Sequence, residues 1–306
     1  MKKLIALFIF IVFSICLTAC KSKNNLNAKQ DFSVEDTLEE VDNTTAKVIL
    51  LYGQSNATGV SSNDYLSIND PDIYSKASNG YNILINYITE NGGNSSNDRF
   101  VNVKLGQGAN NTYFGPEIGI ADYLTSHNKD ENVFIIKYSW GGSILYNQWF
   151  DSKHNRGELY NASLNFTLTS LNYLKSKGYN VEIEAICWMQ GESDAVYKRY
   201  AKKYYVSTTK LIEYYREDLK EYYKGNLLFI DAGIAEIEIW KNYSIINNAK
   251  RRASNLNEYN IFFSTAEMNL STNKEPENSP DLAHFDSISM LKLGIKFASF
   301  MEWLWT

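Results

Sequence analysis

Cysteine and histidine are scarce: the 306 residues hold three of each. No two cysteines stand in a C-x-x-C spacing, so a multi-ligand zinc or iron–sulfur centre has too few ligands, and no metal is expected. Positive charge is also in short supply. Thirty Lys and Arg face 35 Asp and Glu, a net charge of −5, and no basic run stands out. The phosphate-neutralising surface that nucleic-acid binding requires is therefore missing. What is present is apolar: 44% of residues are hydrophobic and 21% charged, enough for one large globular domain and too apolar for a disordered chain.

Residues 1–20, MKKLIALFIFIVFSICLTAC, combine two lysines, an apolar run from Leu4 to Leu17 and small residues before a cysteine. This is the layout of a secretory signal, and the run is too short to span a bilayer comfortably. Leu17-Thr18-Ala19-Cys20 resembles a bacterial lipobox, so residues 1–19 are expected to be removed and Cys20 acylated. Membrane attachment through that lipid and a place in the bacterial cell envelope follow as expectations. Cys187 is then the one remaining thiol, a small core residue by expectation. Residues 20–45 are polar, with an acidic stretch (Glu35, Asp36, Glu39, Glu40, Asp42), and read as a tether before a domain at 46–306.

From Ala46 onward, short runs rich in Val, Ile, Phe and Tyr alternate with segments of helical period, the pattern of β-α-β units. Strands are expected at 47–52, 132–138, 182–188, 227–230 and 261–264. Helices are expected at 116–126, 159–177, 195–223, 243–256 and 287–304, with Leu164, Leu168, Leu171 and Leu174 as one apolar stripe. Right-handed crossovers make this a three-layer α/β/α sandwich around a mainly parallel five-stranded sheet. Residues 60–115, rich in Asn, Ser, Gly and Tyr, fit the scheme poorly and read as an insertion over the active face.

Ligands in such sheets sit beyond the carboxyl ends of the strands, so the segments that follow strands carry the information. The first strand leads into Gly53-Gln54-Ser55-Asn56-Ala57-Thr58-Gly59, where a serine between strand and helix gains an exposed hydroxyl near a helix N-terminus. The second leads into Ser139-Trp140-Gly141-Gly142-Ser143, whose paired glycines let backbone N–H groups approach a ligand. The third ends in Trp188-Met189-Gln190-Gly191-Glu192-Ser193-Asp194, an amide and two carboxylates on one rim, with Asp194 a candidate helix cap. Ahead of the last helix, Asp281 stands three residues before His284, close enough for one turn to hold carboxylate against imidazole. His127 and His154 read as surface residues.

The blocks GQSNATG (53–59), GPEIG (115–119), KYSWGGSILYNQW (137–149), WMQGESDA (188–195) and DLAHFD (281–286), in this order, resemble the SGNH hydrolases. More narrowly they resemble the sialate O-acetylesterase-like branch that includes carbohydrate esterase family 6. The resemblance implies Ser55 as nucleophile, His284 as general base and Asp281 as the acid that orients it. It implies Ser55 N–H, Gly142 N–H and Gln190 as oxyanion donors. Glu192 is implied as a further catalytic carboxylate, either a partner of the histidine or a support of the Ser and Gln loops. Gln54, Asn56 and Trp149 are the expected substrate contacts. The implied chemistry is two-step acyl transfer from an acetylated carbohydrate, such as acetylated xylan or sialic acid, without a cofactor. A non-catalytic glycan-binding lipoprotein and a lipase or thioesterase of the wider superfamily are the alternatives.

Overall fold

The computed structural model describes residues 38–89 and 93–302. The expected signal segment, Cys20 and most of the tether lie outside these residues. The sheet is built on β1, Thr44–Gly53, whose run Val48-Ile49-Leu50-Leu51-Tyr52 is fully buried. Continuous rather than alternating hydrophobicity is what a parallel strand covered on both faces requires.

The other strands are β2 (Ser61–Ser62), β3 (Leu84–Thr89), β4 (Asn94–Ser95), β5 (Val101–Asn102), β6 (Tyr113–Phe114), β7 (Val133–Ser139), β8 (Tyr179–Met189), β9 (Leu228–Ala232) and β10 (Asn260–Phe263). The main sheet runs β10-β9-β8-β1-β7-β3-β4, with β5 also paired to β3. Strands β10, β9, β8, β1, β7 and β3 are mutually parallel, while β4 and β5 are antiparallel to β3. Strands β2 and β6 form a separate antiparallel pair.

The five expected strands are all present in a mainly parallel sheet, with a sixth parallel strand beside them. Residues 60–115 are thus not simply an excursion, because they supply β3, the last parallel strand on that side, with β4 and β5 paired to it beyond. Its polar centre hides it: Asn86 is buried and satisfied, donating to Ser170 Oγ at 3.0 Å and accepting from Ser96 Oγ at 2.6 Å.

Ten α-helices surround the sheet among the described residues: α1 (Ser55–Thr58), α2 (Asn63–Asn69), α3 (Pro71–Asn79), α4 (Pro116–Ser126), α5 (Glu158–Ser176), α6 (Glu192–Val196), α7 (Lys198–Ala201), α8 (Tyr204–Asp218), α9 (Tyr243–Ser254) and α10 (Ser287–Ser299). None is long and apolar enough to cross a membrane. The expected helix at 195–223 is three helices, broken at Tyr197 and at Lys202-Lys203. On α5 the deepest face is not the leucine stripe alone. Ser163, Thr167 and Ser170 are buried with Leu171 and Leu174, whereas Leu164 and Leu168 are half-buried. Those hydroxyls meet polar partners, among them Tyr52 Oη against Thr167 and Tyr215 Oη against Ser163.

Helices α4 and α10 cross where neither carries a side chain. A Cβ on Gly119 would lie 2.2 Å from the Leu291 carbonyl oxygen, and one on Gly294 would lie 2.1 Å from that of Pro116. The N-terminus of α4 is fixed by a buried ion pair, Lys137 Nζ to Glu117 Oε2 at 2.7 Å, while Glu117 Oε1 accepts the Gly115 N–H at 2.7 Å. Cys187 is buried in β8, and burial pushes its thiol far above the usual range.

Candidate active site

The chain order reverses at β1: β3 and β7 lie on one side of it and β8, β9 and β10 on the other. A crevice opens beyond the carboxyl end of a strand at such a switch point. The register aligns Gly53 with Ser139 and with Met189, so the loops that begin at Gln54, Trp140 and Gln190 start side by side. This brings together three of the blocks singled out in the sequence.

Gly53 has φ of +147°, and a Cβ there would lie 1.9 Å from the Met189 carbonyl oxygen, so only glycine makes this corner. Ser55 opens α1 and is half-buried, and its hydroxyl has no hydrogen bond among the described residues. The flanks of the corner are tied to β7: Trp140 N–H donates to Gly53 O at 3.0 Å and Thr58 Oγ1 donates to Ser139 Oγ at 2.9 Å.

His284 Nδ1 lies 2.6 Å from Asp281 Oδ2, and the Ala283 N–H donates to Asp281 Oδ1 at 3.0 Å. Burial pushes the Asp281 carboxyl up. The hydrogen bond and charge of His284, with the N–H groups of Ala283 and His284, outweigh it and hold the group below the usual carboxylate range. A carboxylate on Nδ1 assigns the proton to that nitrogen and leaves Nε2 as acceptor.

What holds this turn to the serine corner is Asn56. Its Oδ1 accepts the Phe285 N–H at 3.1 Å, and its Nδ2 donates to Ala283 O at 3.4 Å and to Glu192 Oε1 at 2.7 Å. The residue after Ser55 thus grips the peptide groups on both sides of His284. Glu192 is 1% exposed and reaches the histidine only through Asn56, and its Oε2 has no partner among the described residues. Burial raises its carboxyl despite the Asn56 bond, its own backbone N–H, and the charges of Lys250 and His284.

The glycine loop is a turn closed by Ser143 N–H to Trp140 O at 3.2 Å, with Gly142 exposed at φ +68°. That is the position at which a type II turn demands glycine. The Gly142 N–H has no acceptor among the described residues. Gln190 differs from its expected role. It is fully buried, and its Nε2 already faces Ser143 O (3.0 Å), Asp194 Oδ2 (2.8 Å) and Gln54 Oε1 (3.3 Å), which occupies both amide protons. Tyr204 Oη donates to Gln190 Oε1 at 2.9 Å and lies equally close to the Gln190 carbonyl oxygen.

The three expected substrate contacts are also corrected. Gln54 is 2% exposed, and its Oε1 accepts the Gly191 N–H at 3.1 Å and the Ser193 N–H at 3.4 Å. Asn56 is spent on Glu192 and the His284 turn. Trp149 lies beneath the glycine loop, edge-on to Trp188, donating from Nε1 to Ser143 Oγ at 3.1 Å. All three shape the site from behind. Two residues were missed by sequence reasoning. Tyr204 carries no local signal, and Asp194, read as a helix cap, instead accepts the Leu145 N–H from across the chain at 2.8 Å. Burial pushes Asp194 up to about 6 against the N–H groups of Leu145, Gln190 and Tyr146. Trp140 lines a cavity of about 350 Å³ with Tyr138, Leu159 and Phe166. Among the described residues no cluster of His, Cys, Asp or Glu is arranged to hold a metal ion.

A family profile described as "Carbohydrate esterase, sialic acid-specific acetylesterase" matches residues 45–302. The chain belongs to this family. Two solved structures share its α/β/α fold. One is a protein from Arabidopsis thaliana, 19% identical, covering 84% of this chain and 98% of that one with a TM-score of 0.58. The other is NanS, 16% identical, covering 87% of this chain and 99% of that one, also with a TM-score of 0.58. No curated protein matches the sequence. At these identities the two structures speak for the fold alone.

Proposed function

We propose that this carbohydrate esterase removes acetyl groups from a glycan, such as acetylated xylan or sialic acid, by a serine mechanism centred on Ser55. The observation that carries the reading is the grip of Asn56 on both sides of His284. It ties an imidazole already paired with Asp281 to the corner that presents the serine hydroxyl.

Ser55 Oγ attacks the ester carbonyl carbon while His284 Nε2 takes its proton. The negative charge that develops on the carbonyl oxygen meets the N–H groups of Ser55 and Gly142. The tetrahedral species collapses as the bond to the sugar oxygen breaks, and that oxygen receives the proton held by His284. Water repeats the sequence on the acetyl-serine, with His284 again the base, and acetate leaves. Asp281 keeps Nδ1 protonated throughout and stabilises the imidazolium.

Acetate release from acetylated xylan, O-acetyl sialic acid and aryl esters of increasing chain length tests the reading. A fluorophosphonate should label Ser55, and Ser55→Ala should lose on the order of 10⁴-fold or more in turnover. An active Ser55→Ala would end the mechanism. The exported, lipid-anchored form rests on the 1–20 segment, and a lipid mass at Cys20 in membrane-fraction protein would support it.

A further inference from the structure

We infer that Asp194, Gln190 and Tyr204 are positioning residues that clamp the Gly142 loop from beneath, so that the oxyanion is met by two backbone N–H groups and not by the Gln190 amide. The inference deepens the esterase reading and rests on it for its kinetic consequences.

The clamp has two jaws from the turn after β8. Gln190 Nε2 holds the Ser143 carbonyl at 3.0 Å, and Asp194 Oδ2 holds the Leu145 N–H at 2.8 Å. They grip the loop on either side of Ile144, whose own N–H is taken by Gln148 Oε1 at 2.6 Å. The jaws are locked to each other through Gln190 Nε2 and Asp194 Oδ2 at 2.8 Å.

Ser143 O and the Asp194 carboxylate, which can only accept, set which way the amide faces. With the NH₂ turned toward them, Oε1 is left to accept from the Tyr204 hydroxyl. A flipped amide would set its oxygen against a carbonyl and a carboxylate. Gln190, Asp194, Ser143 and Tyr204 are each at most 1% exposed, so water competes for none of these bonds. Because Gly142 sits one residue before Ser143, the clamp fixes where its free N–H points. Preorganisation of this kind is what makes a backbone donor effective, since nothing reorients as charge develops.

The test is a double-mutant cycle on 4-nitrophenyl acetate hydrolysis. Gln190→Ala and Asp194→Ala should each lower kcat by about 10²-fold with KM within about twofold, and the double variant should be little slower than the slower single, because groups acting as one unit give non-additive losses. Asp194→Asn should recover most of the rate, since an amide oxygen can still accept both N–H groups. Multiplied losses, near 10⁴-fold, would mean that Gln190 stabilises the oxyanion independently and would overturn the inference. So would an unchanged kcat in Asp194→Ala.

If the alanine variants fail to fold, Tyr204→Phe decides: a fall in kcat of roughly tenfold at constant KM supports the clamp, and an unchanged kcat overturns it. An inactive wild-type protein would sink the esterase reading alone. The clamp would then be read from amide exchange at Leu145, which should quicken in Asp194→Ala and not in Ser55→Ala. Equal exchange in both would overturn it.

Discussion

Two loops flank the Ser55 corner, and each is held by side chains that grip the peptide groups around a functional residue. Asn56 holds the His284 turn through bonds of 3.1 and 3.4 Å, beside Asp281 with its side chain 45% exposed. Gln190 and Asp194 hold the Gly142 loop through bonds of 3.0 and 2.8 Å, out of contact with water. The difference follows the work of each side. A base that must take up and release protons needs solvent near it, whereas donors aimed at a developing charge are most effective when they cannot move.

The comparison breaks most sharply at Asp281. Asp281→Asn should lower kcat by about 10³-fold with little loss of folding, because the imidazole loses the carboxylate that sets its tautomer and supports its cation. Steady-state kinetics beside a thermal melt would check it. Asn56→Ala should cost less, about 10²-fold in kcat, since the turn stays next to the serine but is no longer registered to it. Its melting temperature should also fall, because Glu192 is left buried without its partner. Glu192→Gln should be the mildest, within about fivefold, because an amide oxygen can still accept from Asn56 Nδ2. A dead Glu192→Gln beside a nearly silent Asp281→Asn would reverse the assignment of the acid.

Acid should separate the two sides in stability as well. Asp194 is raised from 3.8 to about 6, so its contribution is fully present below pH 3.8 and is lost as pH rises through about 6. Asp281 is lowered, so its contribution is present above 3.8 and is lost as pH falls through its folded value. Urea melts of Asp194→Asn at pH 4 and pH 7 should show a smaller drop toward neutrality than the parent, by at most ~3 kcal/mol. Some drop should remain, because Glu192 and Asp231, the latter paired with Lys250, are also raised by burial.

Much of this was legible in the sequence because it is local. A buried parallel strand announces itself as an unbroken apolar run, and the blocks after β1, β7 and β8 stand where ligands are met. The Asp281–His284 pair needs only a three-residue spacing. What was not legible depends on partners far along the chain. Asn56 reads as a substrate contact until Phe285, 229 positions away, is seen bonded to it. Trp149 reads as a sugar platform until Trp188 and Ser143 are seen to bury it. Strand β3 was hidden for the same reason, since Asn86 is tolerable in a core only beside Ser170 and Ser96.

The side-chain-free crossing of α4 and α10 carries a consequence for redesign. Helix α4 starts at Pro116, directly after Gly115, and a Cβ on Gly59 would lie 2.4 Å from the Gly115 Cα. Gly59 ends the helix of Ser55, and α10 begins three residues after His284, so α4 packs against the elements that carry both residues. Replacing glycine by alanine inside a helix is a common stabilising device, worth about 1 kcal/mol from propensity alone. At Gly119 or Gly294 the added methyl would act as a wedge. A library screened for heat resistance would discard these positions, and one screened for folding alone could keep a protein in which the His284 turn has shifted away from the Ser55 corner.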